Sequence, residues 1–69
     1  MPLAMYPRGE IATIKKIGGQ DETKRFLNSL GFTPGEQVMV ISELGGNMIV
    51  NVKETRVALD KDLARRIVV

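Results

Sequence analysis

The stretch Leu30-Gly31-Phe32-Thr33-Pro34-Gly35-Glu36 constrains this chain more than any other. It holds a helix stop, a turn and a strand start in seven residues. Gly31 follows residues with helical spacing, where a left-handed conformation closes a helix without the Cβ penalty other residues meet. Thr33-Pro34-Gly35 fits a type II β-turn, with Pro34 pre-set at the second position and Gly35 supplying positive φ at the third. Glu36 leads into a β-branched run. The stretch dictates how a helix hands over to a sheet, and it carries no evident chemistry.

The helix before it reads from Asp21, a candidate N-cap. Thr23, Phe26, Leu27 and Leu30 lie at i, i+3, i+4 and i+7 and share one face, opposite Glu22, Lys24, Arg25, Asn28 and Ser29. With Gly31 just past the C-cap, Phe32 can fold back onto Leu27. So short a helix is marginal alone and must be held by packing on a sheet.

The strands surround it. Met1 to Pro7 is a lead-in that Leu3 and Met5 can pin to the core. Pro7-Arg8-Gly9-Glu10 is a turn echoing Pro34-Gly35-Glu36. Ile11, Ile14 and Ile17 recur every third residue, but the run is short, β-branched and fenced by Gly9 and Gly18-Gly19. Those features favour a strand, with a bulge or strong twist near Lys15-Lys16. Gln37 to Ser42 is the clearest strand, apolar on both faces. Gly45-Gly46-Asn47 signals a hairpin. Met48, Val50 and Val52 then alternate with Ile49, Asn51 and Lys53. Lys53-Glu54-Thr55 is a tight turn into a strand bearing Val57 and Leu59. Asp60 can cap a helical turn through Leu63 and Ala64, and Ile67-Val68-Val69 closes as a short strand. About five strands and one inserted helix in 69 residues predict a single, mainly β domain: a small, partly open SH3-like barrel. A split α+β sheet is the structural alternative. A chain this short buries only about 60% of its unfolded surface, so the core is small. With three aromatics (Tyr6, Phe26 and Phe32), that core is mainly aliphatic.

Composition removes most chemistry. Histidine and cysteine are both absent, and with them the commonest general base, metal ligand and reactive nucleophile. Ser29 and Ser42 have no histidine to activate them. No catalytic residue, cofactor site or metal site is expected. Asp60-Lys61-Asp62 reads as a cap and a first-turn acid rather than a metal clip. The methionines read as core fillers, and the glycine pairs as turns rather than phosphate loops. A formal net charge of +2 is too weak to imply nucleic acid. Lys15-Lys16, Lys24-Arg25 and Arg65-Arg66 make basic patches without the aromatics that stack bases. No run approaches a membrane span and no leader pattern opens the chain, so the cytoplasm is expected. Apolar surface remains. Met39, Ile41 and Ile49 lie opposite the more regular core positions, and Leu44 sits at the hairpin tip. Together they form either a second core layer under the helix or a partner site.

These residues resemble the FeoA family, small cytoplasmic accessory proteins of bacterial ferrous-iron uptake. The likeness runs over nearly the whole chain. It includes Pro7-Arg8-Gly9-Glu10, then Ile14 to Gly18, and is strongest at Leu27 and Leu30-Gly31-Phe32-Thr33-Pro34-Gly35. Ala58-Leu59, and Leu63-Ala64 followed by Ile67 and Val69, complete it. Glu54-Thr55 departs from it, where many members carry a glycine in the turn. The resemblance implies an SH3-like barrel with an inserted helix. It also implies a role beside FeoB, the membrane ferrous-iron transporter with a cytoplasmic GTPase domain, and no catalytic motif. On this reading the chain is a protein-interaction module. Met39, Ile41, Leu44 and Ile49 are the candidate contact site, and Leu27, Leu30, Gly31, Phe32, Pro34 and Gly35 are structural. A homodimer is open. The rival reading is an SH3-like nucleic-acid- or ribosome-associated module, and a carboxylate metal sensor is a third.

Overall fold

The structure, a computed structural model, describes residues 1–69. The expected helix exit is present in full. α1 spans Asp21–Ser29 and its C-cap is Leu30. The Phe32 N–H donates to the Leu27 carbonyl and the Gly31 N–H to the Asn28 carbonyl, both at 3.0 Å. That is the paired bonding of a Schellman motif, and Gly31 holds the positive φ it needs, 106°. Leu27 and Phe32 are both fully buried, and Leu30 is half-buried. The Glu36 N–H then donates to the Thr33 carbonyl, with Gly35 at φ 91°, closing the type II turn around Pro34. Two details differ at the helix start and face. Its N-cap is Gln20, which makes no side-chain cap bond, and Asp21 is the first helical residue. Phe26 is 50% exposed; in a helix of three turns or fewer the buried stripe narrows to Leu27, and Phe26 falls to its flank.

Glu36 opens the larger sheet. β1 (Ile11–Thr13), β3 (Gln37–Leu44), β4 (Asn47–Val52) and β5 (Thr55–Asp60) form an antiparallel sheet in the order β1-β3-β4-β5. Both hairpins use two-residue loops. Gly45-Gly46 joins β3 to β4 with both residues at positive φ, as a type I′ turn requires. Lys53-Glu54 joins β4 to β5 with φ 49° and 62°, so two residues with side chains hold the same left-handed geometry. β3 and β4 each reach further toward the first loop than the sequence predicts, because a two-residue loop lets pairing run up to Leu44↔Asn47.

The Glu10–Ile17 run is two strands in two sheets rather than one bulged strand. Ile14 still pairs beside β3: its N–H donates to the Glu36 carbonyl and its carbonyl accepts from Gly35. One residue later the Lys15 N–H donates to Val68. β2 (Lys16–Ile17) therefore pairs with β6 (Ile67–Val68) in a second, two-stranded antiparallel sheet. Pro2 bridges Val68 from the other side, and the Val69 N–H donates to the Met1 carbonyl at 2.7 Å. The lead-in is thus part of this sheet, followed by a 3₁₀ turn at Leu3–Met5. Leu3 is fully buried, whereas Met5 is 69% exposed and pins nothing.

α2 (Lys61–Arg66) links β5 to β6 and is a longer helix than a single turn. Its cap is as the sequence predicts: the Leu63 N–H donates to Asp60 Oδ1 at 2.8 Å. Asp62 lies in its first turn and pairs with Arg65 at 2.7 Å. Fifteen buried residues form one aliphatic cluster with a single aromatic, Phe32. Among the methionines only Met48 is fully buried; Met1, Met5 and Met39 lie on the ends and the outer face, so core filling describes one of the four. The two sheets do not close on each other, which gives the partly open, SH3-like arrangement.

Candidate interaction surface

The register of the four-stranded sheet sorts its side chains onto two faces. Val38 and Val40 of β3, Met48, Val50 and Val52 of β4, and Leu59 of β5 point into the core. The alternate residues form rows across the outer face. One row runs Ile11–Met39–Asn51–Arg56, through the pairs Ile11↔Met39, Met39↔Asn51 and Asn51↔Arg56. A second runs Ser42–Ile49–Ala58, and a third Leu44–Asn47–Asp60.

Pairing in β3 shifts between Val40 and Ser42, so Ile41 is the extra residue of a β-bulge. A bulge reverses the alternation beyond it. Without it Leu44 would face the core; with it Leu44 stands on the outer face, 74% exposed. Met39, Ile41 and Ile49 are half-buried. The buried cluster includes none of the four, so they do not form a second core layer under α1. Met39, Ile49 and Leu44 share the outer face, and Ile41 lies at the bulge between them.

Ile11 belongs to the same face and was not among the sequence candidates. It is 58% exposed and sits directly across from Met39. The sequence reading places Ile11 in a strand without assigning it a face. The signal that separates it is simple alternation, since Ala12 and Ile14 are the buried pair.

Beside Ile11 and Met39 lies a shallow groove of about 230 Å³, bounded by Asn51, Glu36, Lys53 and Glu54. Pockets for small-molecule ligands usually run from about 300 to 1,000 Å³ and are enclosed. An open groove of this size suits one protruding side chain. Its rim is charged: Lys53 Nζ lies 4.0 Å from Glu36 Oε2. Further along β3, Lys61 pairs with Glu43 at 3.3 Å, on the side of the sheet that Met48 faces, so this pair is not part of the outer face. Such exposed pairs contribute roughly 0–1 kcal/mol each and act mainly on partner selection. The face thus has an apolar centre and a charged rim, the usual anatomy of a protein–protein contact.

The six residues read as structural lie as follows. Leu27 and Phe32 are in the core, Leu30 packs against it, and Pro34 and Gly35 are exposed at the turn. A Cβ on Gly31 would meet the Lys53 side chain at 3.5 Å and Val52 at 3.6 Å. The α1 exit is therefore seated against the end of β4. No three histidine, cysteine, aspartate or glutamate side chains converge as metal ligands would. No helix is long and apolar enough to cross a membrane.

Comparison with known proteins bears on all of this. The FeoA domain family model matches residues 1–69. The chain is 32% identical over 68 residues to the "Putative Fe(2+) transport protein A" of Methanocaldococcus jannaschii, across 99% of this chain and 83% of that protein. Among solved structures, a crystal structure of an iron uptake regulatory protein, FeoA, superposes with a TM-score of 0.88 at 29% identity, covering 97% of this chain and 91% of that one. FeoA of Stenotrophomonas maltophilia, an SH3-domain protein crystallised with zinc, superposes with a TM-score of 0.84 at 32% identity, covering 99% and 87%.

Proposed function

Since the chain belongs to the FeoA domain family, we propose that it is a cytoplasmic accessory protein of ferrous-iron uptake that acts by binding the cytoplasmic GTPase region of a FeoB-type transporter. It catalyses no reaction of its own and works through surface complementarity. The observation that carries this reading is the outer face of the β1-β3-β4-β5 sheet. It sets Ile11 and Met39 at a one-side-chain groove with a charged rim, and Ile49 and Leu44 further along the same face. Contiguous exposed apolar surface marks partner sites, and Ile11 and Leu44 are its most exposed members here. The lack of histidine and cysteine supports a role without catalysis or tight metal capture.

The test is binding of the chain to the cognate FeoB cytoplasmic domain, by titration calorimetry, in the nucleotide-free, GDP and GTP-analogue states. Binding in at least one state, weakened tenfold or more by Leu44→Glu while the thermal melt is unchanged, is the expected result (tenfold is about 1.4 kcal/mol). Absence of binding in every state would overturn the reading.

A further inference from the structure

β5 is an edge strand with nothing on its outer side, and its sequence is complementary to itself. The β4–β5 loop has two residues, so Val52↔Thr55 is a hydrogen-bonded pair, and bonded and non-bonded pairs alternate from there. Val57 and Leu59 therefore bond to β4, while Arg56 and Ala58 direct their backbone N–H and C=O groups away from it. None of the backbone bonds outside the ladders involves residues 55–60. Natural sheets protect such an edge with lysine, proline, a bulge or very short length. β1, the other edge, has only three residues. β5 has six, in unbroken register, with neither lysine nor proline, and its two charges, Arg56 and Asp60, are of opposite sign.

We propose that β5 is the interface of a two-fold homodimer, in which β5 of a second copy adds antiparallel to this one with Ala58 on the axis. That register places Arg56 opposite Asp60 of the other copy, twice, and Ala58 opposite Ala58. All three side chains are exposed on the outer face. On the core side it sets the half-buried Val57 against Leu59 of the other copy. Opposite charges and apolar pairs across strands are each worth roughly 0.2–1 kcal/mol, and like charges directly opposite are unfavourable. Centring the axis on Arg56 instead would set arginine against arginine. The Ala58 pair exchanges two backbone bonds, and each Asp60 N–H reaches the Arg56 carbonyl across the axis. The result is an isologous contact that joins two four-stranded sheets into one of eight strands. It brings the two outer faces side by side and does not depend on the FeoB reading, which stands or falls by its own titration.

The test is sedimentation equilibrium of the chain over a concentration series, with cysteine cross-linking. The chain has no native cysteine to interfere. Paired residues of this kind lie about 5.5 Å apart at Cα, within disulfide reach. Ala58→Cys is expected to form a covalent dimer on mild oxidation, and Arg56→Cys, displaced from the axis, is not. Ala58→Pro removes an N–H that β4 does not use and is expected to raise the dimer dissociation constant about tenfold or more. Arg56→Glu should also weaken the dimer, and salt should weaken the unmodified one. If Ala58→Pro fails to fold, the two cysteine variants still decide. A monomer up to about 1 mM, or equal cross-linking at 56 and 58, overturns the proposal. So does loss of FeoB binding by Ala58→Pro in a chain that is always monomeric, because β5 would then take a strand from another protein.

Discussion

The two faces of the β1-β3-β4-β5 sheet are built from the same residue types and do opposite work. Met48 and Leu59 on the inner face are each 1% exposed. Met39 and Leu44 on the outer face are half-buried and largely exposed. Hydrophobicity alone therefore does not separate core from exposed apolar surface here; strand parity and one bulge do. In a 69-residue domain the inner face must carry nearly all the stability, which leaves the outer face free to be chosen for binding.

The sharpest test is Leu59→Ala. Truncating a buried leucine costs about 2–5 kcal/mol, a large part of the roughly 5–15 kcal/mol typical of a small domain. Urea titration should show the midpoint fall steeply or the fold lost; a small change would break the distinction between the faces. Gly31→Val comes next. A β-branched residue at φ 106° is strained, and its branches add to contacts a Cβ would already make with Lys53 and Val52. The expected loss is about 1–3 kcal/mol by the same titration. If stability survived while partner binding vanished, the α1 exit would be the functional surface and the outer face would not. Glu54→Gly runs in the opposite direction. It relieves a left-handed residue with a side chain in the β4–β5 loop, worth about 1 kcal/mol, and removes one charged side chain from the rim of the groove. A higher melting temperature is expected. Smallest of all in stability is Leu44→Glu, which should stay within about 0.5 kcal/mol because Leu44 is exposed. A cooperative loss of fold would place Leu44 in the core.

Much of the architecture was legible because its signals are local. Gly31 and Pro34-Gly35 announce a helix stop and a type II turn through their own backbone preferences. Gly45-Gly46 announces a hairpin, and Asp60 a cap, within three residues of the groups they serve. What was illegible depends on distant partners. Nothing at Lys15 says that its N–H will bond Val68 rather than continue beside β3. Pro2 gives no sign of its bridge to Val68. The bulge at Ile41 is marked by no glycine or proline, yet it decides which way Leu44 points. Of the candidate surface, Met39, Ile41, Leu44 and Ile49 could be named from strand parity and the hairpin tip, whereas Ile11 could not. Alternation with Ala12 and Ile14 carries its parity, but the three-residue isoleucine spacing obscured that signal, and its seat beside Met39 is a contact across the chain.

The small β2–β6 sheet also sets an order of events. The β3–β4–β5 meander needs only neighbouring residues and tight loops, so its pairing closes only short stretches of chain. β2 must wait for Ile67 and Val68, nearly the whole chain later. Closing so long a loop is slow because its entropy is lost before any contact compensates. The outer face of the larger sheet should therefore be assembled first and the second sheet last. A chain whose second sheet had not yet closed would already present Met39, Ile49 and Leu44 on the outer face of the first.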